Sequence, residues 1–377
     1  MLTRVMMIAG EVSGDLHGAG VVGELKQRRP ALEIFGIGGD AMKRAGMELV
    51  RHISSMSFMG FVEVVKHLGL IRETERTLAS LLDQRPPDVV VLIDYPGFNL
   101  RFARKVKQKG IKVLYYISPQ VWAWHPGRVK TMRRLVDRMK VVFPFEVELY
   151  QREGVDVEFV GHPLVETLRA SATREEFFRA HRLDLRKRLV GLFPGSRKQE
   201  LEKILPVMRA ATRSLVKSHD VQCVLGIAPS LGLPLLRESI APDDPITLVE
   251  GATYDLMAYA DAAMVTSGTA TLETGWFGTP MVVLYRTSWP SYLIARALIT
   301  TTNIALVNIV LGKTVVPELI QHHARAEKVT EAVARILDDG AYSASVRKEL
   351  SAVQSKLGTP GASARVADAI IALGEAA

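Results

Sequence analysis

The feature that most constrains the fold is a regular alternation of short apolar runs with helix-length amphipathic segments. In the first half of the chain, runs rich in Val, Ile and Leu occupy residues 5–9, 32–37, 89–93, 111–116, 139–143 and 157–160. Strands that are apolar along their whole length are typical of a parallel sheet covered by helices on both faces. The pattern therefore predicts successive β-α-β units of the Rossmann type.

A second series of apolar runs begins after a polar, helical stretch that follows residue 163. Its predicted strands cover residues 189–193, 223–227, 246–249, 262–265 and 281–284. A chain of 377 residues exceeds what one hydrophobic core usually supports. We predict an α/β fold of the GT-B type, in which two Rossmann-like domains face each other across a ligand-binding cleft. The domains are placed at residues 1–165 and 166–345, and the helices of 346–377 are expected to pack back on the first.

Cysteine content and hydropathy predict the compartment. The single cysteine, Cys223, can form neither an intrachain disulfide nor a thiolate zinc site, so a reducing compartment is expected. Glu11 follows the first apolar run too closely for a signal peptide. Residues 292–311 are apolar but contain Arg296, Asn303 and Asn308, which predicts a buried helix followed by a strand rather than a membrane span. We expect a cytoplasmic protein.

Positive charge is concentrated in the first half of the chain. Of a net charge of +8, residues 1–165 contribute +6, and residues 101–140 hold twelve Lys or Arg against one acid, Asp137. Such a field attracts phosphates or an anionic lipid surface, although solvated helix faces explain it equally well. We expect an anionic membrane surface as a partner and no nucleic acid.

Two apolar clusters are candidates for contact with a sugar or an acyl chain. One follows residue 55 in a region without a strand pattern, where a core helix is the alternative to lipid contact. The other is a pair of tryptophans after the run 111–116, for which ordinary packing is the alternative. The residues assigned to an acceptor or the membrane are Met56, Phe58, Met59, Phe61, Val62, Trp122 and Trp124.

Candidate catalytic side chains follow two predicted strands of the first domain. Glu11, Asp15 and His17 lie in a glycine-rich loop after residues 5–9, where a helix cap by Asp15 is the alternative. Asp94 ends the run 89–93, so it can either reach a substrate hydroxyl or stabilise the turn that follows. A third loop, 36–41, formally matches G-x-G-x-x-A, but no strand is predicted after it, so NAD binding is not expected.

Two loops of the second domain are predicted to bind a nucleotide diphosphate. Each runs from a strand into a helix, where backbone N–H groups and the helix dipole favour anions. The chain lacks a G-x-x-x-x-G-K-[ST] motif, which argues against kinase or ATPase chemistry. It also lacks Asp-x-Asp, and no two histidines are spaced i, i+4 with an acid nearby, so no metal or other cofactor is expected. The assigned donor-binding residues of these loops are Gly195, Ser196, Arg197, Glu200, Ser267, Gly268, Thr269, Thr271 and Glu273.

Motifs along nearly the whole chain resemble those of one family, the lipid-A-disaccharide synthases. The similar blocks, in order, are 10–18, 36–39, 56–63, 94–99, 118–125, 161–163, 193–200, 267–273 and 307–321. The resemblance implies an inverting glycosyltransferase with UDP-2,3-diacylglucosamine as donor and 2,3-diacylglucosamine 1-phosphate (lipid X) as acceptor. It also implies a peripheral protein on the cytoplasmic face of the inner membrane, and a possible homodimer.

The resemblance also implies roles for individual residues. Asn308, Glu318 and Gln321 would complete the donor pocket, and Asp94 would be the general base or orient it, with Asp15, His17 and Glu11 as rivals. Gly97 stands where some relatives have an acid, so no role of that acid transfers to this chain. The alternatives are another UDP-sugar enzyme, such as a UDP-N-acetylglucosamine 2-epimerase or a peptidoglycan glycosyltransferase, and a non-catalytic nucleotide-sugar or lipid-binding module.

Overall fold

A computed structural model describes residues 2–55, 68–119, 128–228, 233–289, 292–293, 296 and 301–376. The chain forms two compact units. Unit 1 comprises Met1–Glu166 together with Leu357–Ala377, and unit 2 comprises Thr167–Lys356. The first boundary lies one residue from the predicted one. The second lies eleven residues later than predicted, because the helices that follow residue 345 belong to unit 2 as far as Lys356.

Unit 1 is a seven-stranded parallel sheet with helices between its strands. Its strands are β1 (Arg4–Ala9), β2 (Glu33–Gly38), β3 (Glu48–His52), β4 (Val89–Ile93), β5 (Lys112–Tyr116), β6 (Arg138–Val141) and β7 (Val157–Phe159). Its helices are α1 (Val12–Arg28), α2 (Asp40–Arg44), α3 (Leu68–Gln84), α4 (Pro96–Gln108), α5 (Arg128–Leu135), α6 (Phe145–Arg152) and, from the end of the chain, α16 (Ala362–Glu375).

Unit 2 is a six-stranded parallel sheet built on the same plan. Its strands are β8 (Arg188–Phe193), β9 (Val221–Ile227), β10 (Ile246–Glu250), β11 (Ala262–Thr266), β12 (Met281–Tyr285) and β13 (Glu318–Ile320). Its helices are α7 (Arg174–Ala180), α8 (Lys198–Ser218), α9 (Leu233–Ser239), α10 (Thr253–Tyr259), α11 (Thr269–Trp276), α12 (Leu306–Leu311), α13 (Ala326–Asp338), α14 (Gly340–Leu350) and α15 (Ala352–Leu357).

The order of the strands locates the functional edge of each sheet. In unit 1 the order is β3-β2-β1-β4-β5-β6-β7, and in unit 2 it is β10-β9-β8-β11-β12-β13. The direction of winding reverses between β1 and β4, and again between β8 and β11. Parallel sheets bind ligands beyond the carboxyl ends of their strands at such a switch point. The loops after these four strands are therefore the positions to search for a site.

The central strands agree with the sequence pattern, and two of the four edge strands do not. Each of the eleven predicted strands overlaps an observed one. The central strands are recognisable because their apolar residues are buried on both faces, as in β4. The edge strands β3 and β13 were not predicted, since their residues are only partly buried and carry polar side chains. Residues 306–311 form α12, so the strand predicted at the end of 292–311 was wrong there. No helix among the described residues is both long and apolar enough to cross a bilayer.

The last helix, α16, completes unit 1. It buries an apolar face that includes Val366, Ile370 and Leu373. Its acidic residue Glu375 forms an ion pair with Arg29 at the end of α1, at 2.7 Å. The first turn of α16 is bonded to the residue that follows β7, because Arg365 Nε donates to the carbonyl of Val160 at 2.8 Å. The two ends of the chain thus form one core.

Candidate functional site

In unit 1 the loops after β1 and β4 lie against each other at the switch point. Gly10 has no room for a side chain, since a Cβ placed there would lie 2.1 Å from Cγ of Tyr95. This close contact brings Glu11, which follows Gly10, into electrostatic range of Asp94. The sequence prediction that both loops contribute to one site therefore agrees with the geometry.

Asp94 and Tyr95 adopt consecutive left-handed backbone conformations. Their φ angles are 45° and 46°, which costs about 1–3 kcal/mol for each non-glycine residue and is typical of functional sites. Two side chains hold the turn. Asn99 Nδ2 donates to the Asp94 carbonyl at 2.7 Å, and the Tyr115 hydroxyl donates to the same oxygen.

The electrostatic surroundings of Asp94 suit a base that works near neutral pH. Burial raises the pKa of its carboxyl to about 6, and the nearby Glu11 carboxylate adds to the shift. A base is most efficient when its pKa approaches the working pH, because it is then ionised yet still has appreciable proton affinity. Among the four candidates, Asp94 therefore has the properties expected of a base, and Glu11 acts on it as a neighbouring charge.

Asp15 has a structural role, unlike the catalytic one considered for it. Its buried carboxylate accepts hydrogen bonds from the backbone N–H groups of Gly39 at 2.7 Å, Ala41 at 3.0 Å and Met42 at 3.0 Å. These bonds use both of its oxygens to cap α2. They also place a carboxylate at the loop that matches G-x-G-x-x-A, which disfavours a pyrophosphate at these N–H groups.

His17 lies beside a second histidine that the sequence analysis did not assign to the site. The ring centroids of His17 and His162 are 6.1 Å apart in an edge-to-face arrangement. Burial lowers the pKa of His17 to about 4 and that of His162 to about 3, so both rings are neutral at pH 7. Leu164 N–H donates to Nδ1 of His162 at 3.2 Å, which places the proton of that ring on Nε2. The motif 161–163, at the carboxyl end of β7, was the signal for His162.

In unit 2 the loop after β8 forms an anion site at the start of α8. Glu200 Oε2 accepts a bond from Ser196 N–H at 3.0 Å, and Glu200 Oε1 accepts one from Arg197 at 3.0 Å. Gly195, with φ 107°, permits this arrangement, because a Cβ there would lie 2.3 Å from Oε2 of Glu200. Glu200 was predicted to bind the donor. The structure instead shows its carboxylate on the groups that were predicted to hold phosphate.

The loop after β11 provides the second predicted donor segment. Ser267 Oγ donates to the carbonyl of Ile304 at 3.0 Å, and Gly268 precedes α11 with an exposed Thr269 at its first position. Thr271 is fully buried, and its hydroxyl donates to the Gly268 carbonyl at 2.8 Å. The backbone donors at the start of α11 therefore remain the groups that suit an anion, whereas Thr271 supports the turn.

Glu273 lies one turn further along α11 and is mostly buried. Burial raises the pKa of its carboxyl, and a hydrogen bond that it accepts from the Tyr254 hydroxyl at 3.2 Å opposes the shift. An ionised carboxylate in this position can accept further bonds from ligand hydroxyls, which is the role that the sequence analysis gave it.

Three further residues assigned to the donor pocket form hydrogen bonds within unit 2. Asn308 is fully buried, and its amide bonds Val315 N–H, Val316 N–H and Glu318. Glu318 also accepts bonds from Ile304 N–H at 2.9 Å and Ala305 N–H at 3.1 Å. Gln321 pairs through its amide with both backbone groups of Thr287. Their side chains shape the edge of the second sheet near β12 and β13, and their donor contacts remain untested predictions.

The residues assigned to the acceptor or the membrane lie outside the described part of the chain; they are Met56, Phe58, Met59, Phe61, Val62, Trp122 and Trp124. Within the described ranges, no three His, Cys, Asp or Glu side chains converge in a way that could hold a metal ion.

Comparison with known families identifies the kind of site. A family model described as lipid-A-disaccharide synthetase matches residues 5–367. The chain belongs to the lipid-A-disaccharide synthase family. It is 47% identical over 373 residues to the lipid-A-disaccharide synthase of Geobacter sulfurreducens, covering 98% of this chain and 96% of the relative. The enzyme of that name from Syntrophus aciditrophicus is 47% identical over 366 residues, covering 96% of each chain. The chain is therefore a glycosyltransferase of lipid A biosynthesis that uses a nucleotide sugar and a lipid.

Solved structures agree with the α/β fold of the GT-B type. A UDP-GlcNAc 2-epimerase from Neisseria meningitidis bound to UDP-GlcNAc superposes with a TM-score of 0.66 at 11% identity, covering 98% of this chain and 100% of the other. A glycosyltransferase of kitacinnamycin gives a TM-score of 0.64 at 16% identity, covering 98% of each chain. At identities of 11% and 16%, the structural similarity establishes the fold alone. The epimerase and binding-module alternatives are not favoured, because the family assignment comes from far closer relatives.

Proposed function

We propose that this glycosyltransferase transfers the diacylglucosaminyl group of UDP-2,3-diacylglucosamine to the 6-hydroxyl of lipid X. The products are the β-1,6-linked disaccharide 1-phosphate and UDP. The observation that carries the proposal is 47% identity over 98% of the chain to an enzyme named for this reaction. The Asp94 turn and the anion site of α8 supply groups of the kind that the reaction needs.

The proposed chemistry is a direct displacement with inversion. The acceptor O6 attacks the anomeric carbon, the bond from that carbon to the UDP oxygen breaks, and the proton of the 6-hydroxyl passes to Asp94. Asp94 suits this step because burial and Glu11 raise the pKa of its carboxyl to about 6. Its partly buried position at the end of β4 also leaves it able to meet a substrate hydroxyl.

The negative charge of the departing UDP needs a counter-charge. We assign this role to Arg197 and to the backbone N–H groups at the starts of α8 and α11. Arg197 is half exposed and already bonds a carboxylate, that of Glu200, and a guanidinium binds phosphate oxygens through the same N–H groups. Fixed donors of this kind stabilise developing charge without reorganisation. We propose on these grounds that the transfer needs no metal ion.

The acceptor lipid requires apolar surface near the base. Val12 and Leu16 are 59% and 60% exposed and lie one turn apart at the start of α1, directly after Glu11. Exposed apolar side chains beside polar catalytic groups suit a ligand with a sugar head and acyl chains. We propose that they contact the acyl chains of lipid X.

Membrane association is proposed from the charge of unit 1. Lys130, Arg133 and Arg134 are exposed on α5, and they belong to the basic segment 101–140. We propose a peripheral protein on the cytoplasmic face of the inner membrane, attracted by anionic lipid. A homodimer is a further expectation from the family.

The test is UDP release from UDP-2,3-diacylglucosamine with and without lipid X, in the presence of EDTA. We expect release that depends on lipid X, survives EDTA, and falls by about 10²–10⁴-fold in Asp94→Asn. Asp83→Asn, which neutralises an exposed carboxylate in unit 1, is the matched control and should retain activity. Release without lipid X would overturn the transferase assignment. Full activity in Asp94→Asn would overturn the assignment of the base.

A further inference from the structure

The turn that carries Asp94 is fixed at its backbone by side chains from two different elements. Asp94 N–H donates to the Tyr116 carbonyl at 3.0 Å, which makes Asp94 the last residue of the ladder between β4 and β5. Beyond this bond the chain enters the left-handed conformation at φ 45°. The Asp94 carbonyl is then held by Asn99 from α4 and by the Tyr115 hydroxyl from β5. Both donors bond the same atom, the carbonyl oxygen of the peptide that joins the two left-handed residues Asp94 and Tyr95.

Asn99 makes these bonds at a cost to its own hydrogen bonding. It is fully buried, and its Nδ2 donates to the carbonyls of Ile93 at 3.2 Å and Asp94 at 2.7 Å. Its Oδ1 is buried without a hydrogen-bond partner among the described residues. An unsatisfied buried acceptor destabilises the folded state. This side chain is therefore poorly optimised for stability, and its amide is placed to bond the carbonyl before the turn, Ile93, and the carbonyl within it, Asp94.

We propose that Asn99 and Tyr115 are positioning residues for the glycosyl transfer: by fixing the Asp94 carbonyl they hold the left-handed turn, and with it the carboxyl of Asp94 beside Glu11. The inference rests on the proposed role of Asp94 as the base. Neither residue needs to touch substrate. Each acts through its bond to the Asp94 carbonyl. This bond fixes the backbone of the turn, and the fixed backbone sets the direction of the Asp94 side chain.

Loss of this restraint has a signature that general destabilisation lacks. If the turn relaxes, the carboxyl of Asp94 gains access to water, and the desolvation that raises its pKa to about 6 decreases. The pKa then falls towards its ordinary value. The acidic limb of the kcat profile should move to lower pH, while kcat at the plateau falls because the base is misplaced. KM should change little, because the substrate contacts remain.

Two neighbouring tyrosines provide a matched test. Tyr115→Phe removes the hydroxyl that bonds Asp94, and Tyr116→Phe removes an equally buried hydroxyl that has no hydrogen-bond partner among the described residues. We expect kcat to fall by about tenfold in Tyr115→Phe, since small displacements of a catalytic group cost up to about 10²-fold. Tyr116→Phe should stay within about twofold of the parent enzyme. Equal kcat and equal pH profiles in the two variants would overturn the proposal.

A double-mutant cycle separates this inference from the proposed function. In the Asp94→Asn background, Tyr115→Phe should cause no further loss of kcat, because a residue that acts through Asp94 has nothing left to position. A loss of equal size in both backgrounds would mean that Tyr115 acts independently of Asp94. Full activity in Asp94→Asn would show that Asp94 is not the base. An inactive Asp94→Asn with an unaffected Tyr115→Phe would overturn only the positioning role.

Asn99→Leu extends the test to the second donor. The substitution removes both bonds to the carbonyls and also the unpaired Oδ1, so its effects on stability partly cancel. We expect a folded protein, verified by its thermal unfolding, with kcat reduced by about tenfold or more and the same shift of the acidic limb. A folded Asn99→Leu protein with parental kcat and pH profile would overturn the role of Asn99. The Tyr115 comparison stands whether or not this variant folds.

Discussion

Oε1 of Glu200 lies 3.0 Å from Nη1 of Arg197 at the start of α8, while Oε2 of the same carboxylate accepts a bond from Ser196 N–H. The carboxylate thus occupies the positive end of a long helix, where a phosphate is most favourably bound. A diphosphate that binds to the same groups must displace it. If the donor diphosphate binds there as proposed, Glu200 competes with the donor for the site that it was predicted to help form.

Glu200→Gln should strengthen UDP binding. The amide keeps the size of the side chain and removes the negative charge that occupies the anion site, so we expect the Kd for UDP to fall several-fold, by roughly 1 kcal/mol. Isothermal titration calorimetry measures this directly. Glu202→Gln, an exposed position on the same helix, controls for the change in net charge and should leave the Kd unchanged. Weaker binding in Glu200→Gln would mean that the carboxylate supports the loop.

The pH dependence of transfer should follow the ionisation of Asp94. A base must be deprotonated to act, and its pKa is raised to about 6 by burial and by Glu11. The rate should therefore fall as pH drops through about 6 and approach a plateau above pH 7. Initial rates of UDP release at saturating substrates, from pH 5 to 8, give the profile. Glu11→Gln should move the acidic limb to lower pH, because it removes the neighbouring negative charge. An unchanged limb in Glu11→Gln would contradict this account.

Asn308→Ala should destabilise unit 2. The substitution leaves backbone groups of Val315 and Val316 without their side-chain partner and removes one of the hydrogen bonds that Glu318 accepts, which costs about 3 kcal/mol. Urea unfolding measures the loss. Asn303→Ala serves as the control, because Asn303 is partly exposed and its side chain accepts one bond from Thr314. It should lose less than about 1 kcal/mol. Similar losses in the two variants would contradict the central role of Asn308.

The double substitution Val12→Ser and Leu16→Ser should weaken binding of lipid X. Both side chains are exposed, so their loss should barely affect the free energy of unfolding. Loss of their contact with acyl chains should raise KM for lipid X by about tenfold, while KM for the donor stays unchanged. Leu185→Ser, at an exposed apolar position of unit 2, is the control. An unchanged KM for lipid X would exclude this surface as the acyl contact.

Charge reversal on α5 should release the protein from anionic vesicles. Lys130→Glu, Arg133→Glu and Arg134→Glu together replace three exposed positive charges, each worth about 1 kcal/mol near an anionic surface. Co-sedimentation with vesicles of phosphatidylglycerol should decrease sharply, and added salt should weaken binding of the parent protein. The same reversal at Lys217, Lys328 and Lys348, all exposed in unit 2, should have a smaller effect. If the α5 variant still co-sediments with the vesicles, α5 does not form the membrane-binding surface.

The sequence predicts those features that depend on local pattern. Strands such as β4 are identifiable because every residue is apolar and buried, and the positions of Asp94 and Arg197 follow from the ends of such strands. The roles of Asn308 and Glu318 could not be predicted in this way. Their partners are backbone groups up to fourteen residues away, and no local pattern shows which distant N–H groups a side chain will meet. His162 was overlooked for a similar reason, because its environment comes from Phe143 and His17.

Unit 1 is built from two stretches of the chain that are separated by the whole of unit 2. Its sheet begins at Arg4, yet α16, which buries Val366 and Ile370 and places Gly374 against Leu2 and Val89, is synthesised only after that sheet. All residues of unit 2, Thr167–Lys356, precede that helix along the chain. The unit that contains Asp94 therefore stays incomplete until unit 2 has been synthesised, so a chain terminated within Thr167–Lys356 lacks the helix that completes unit 1.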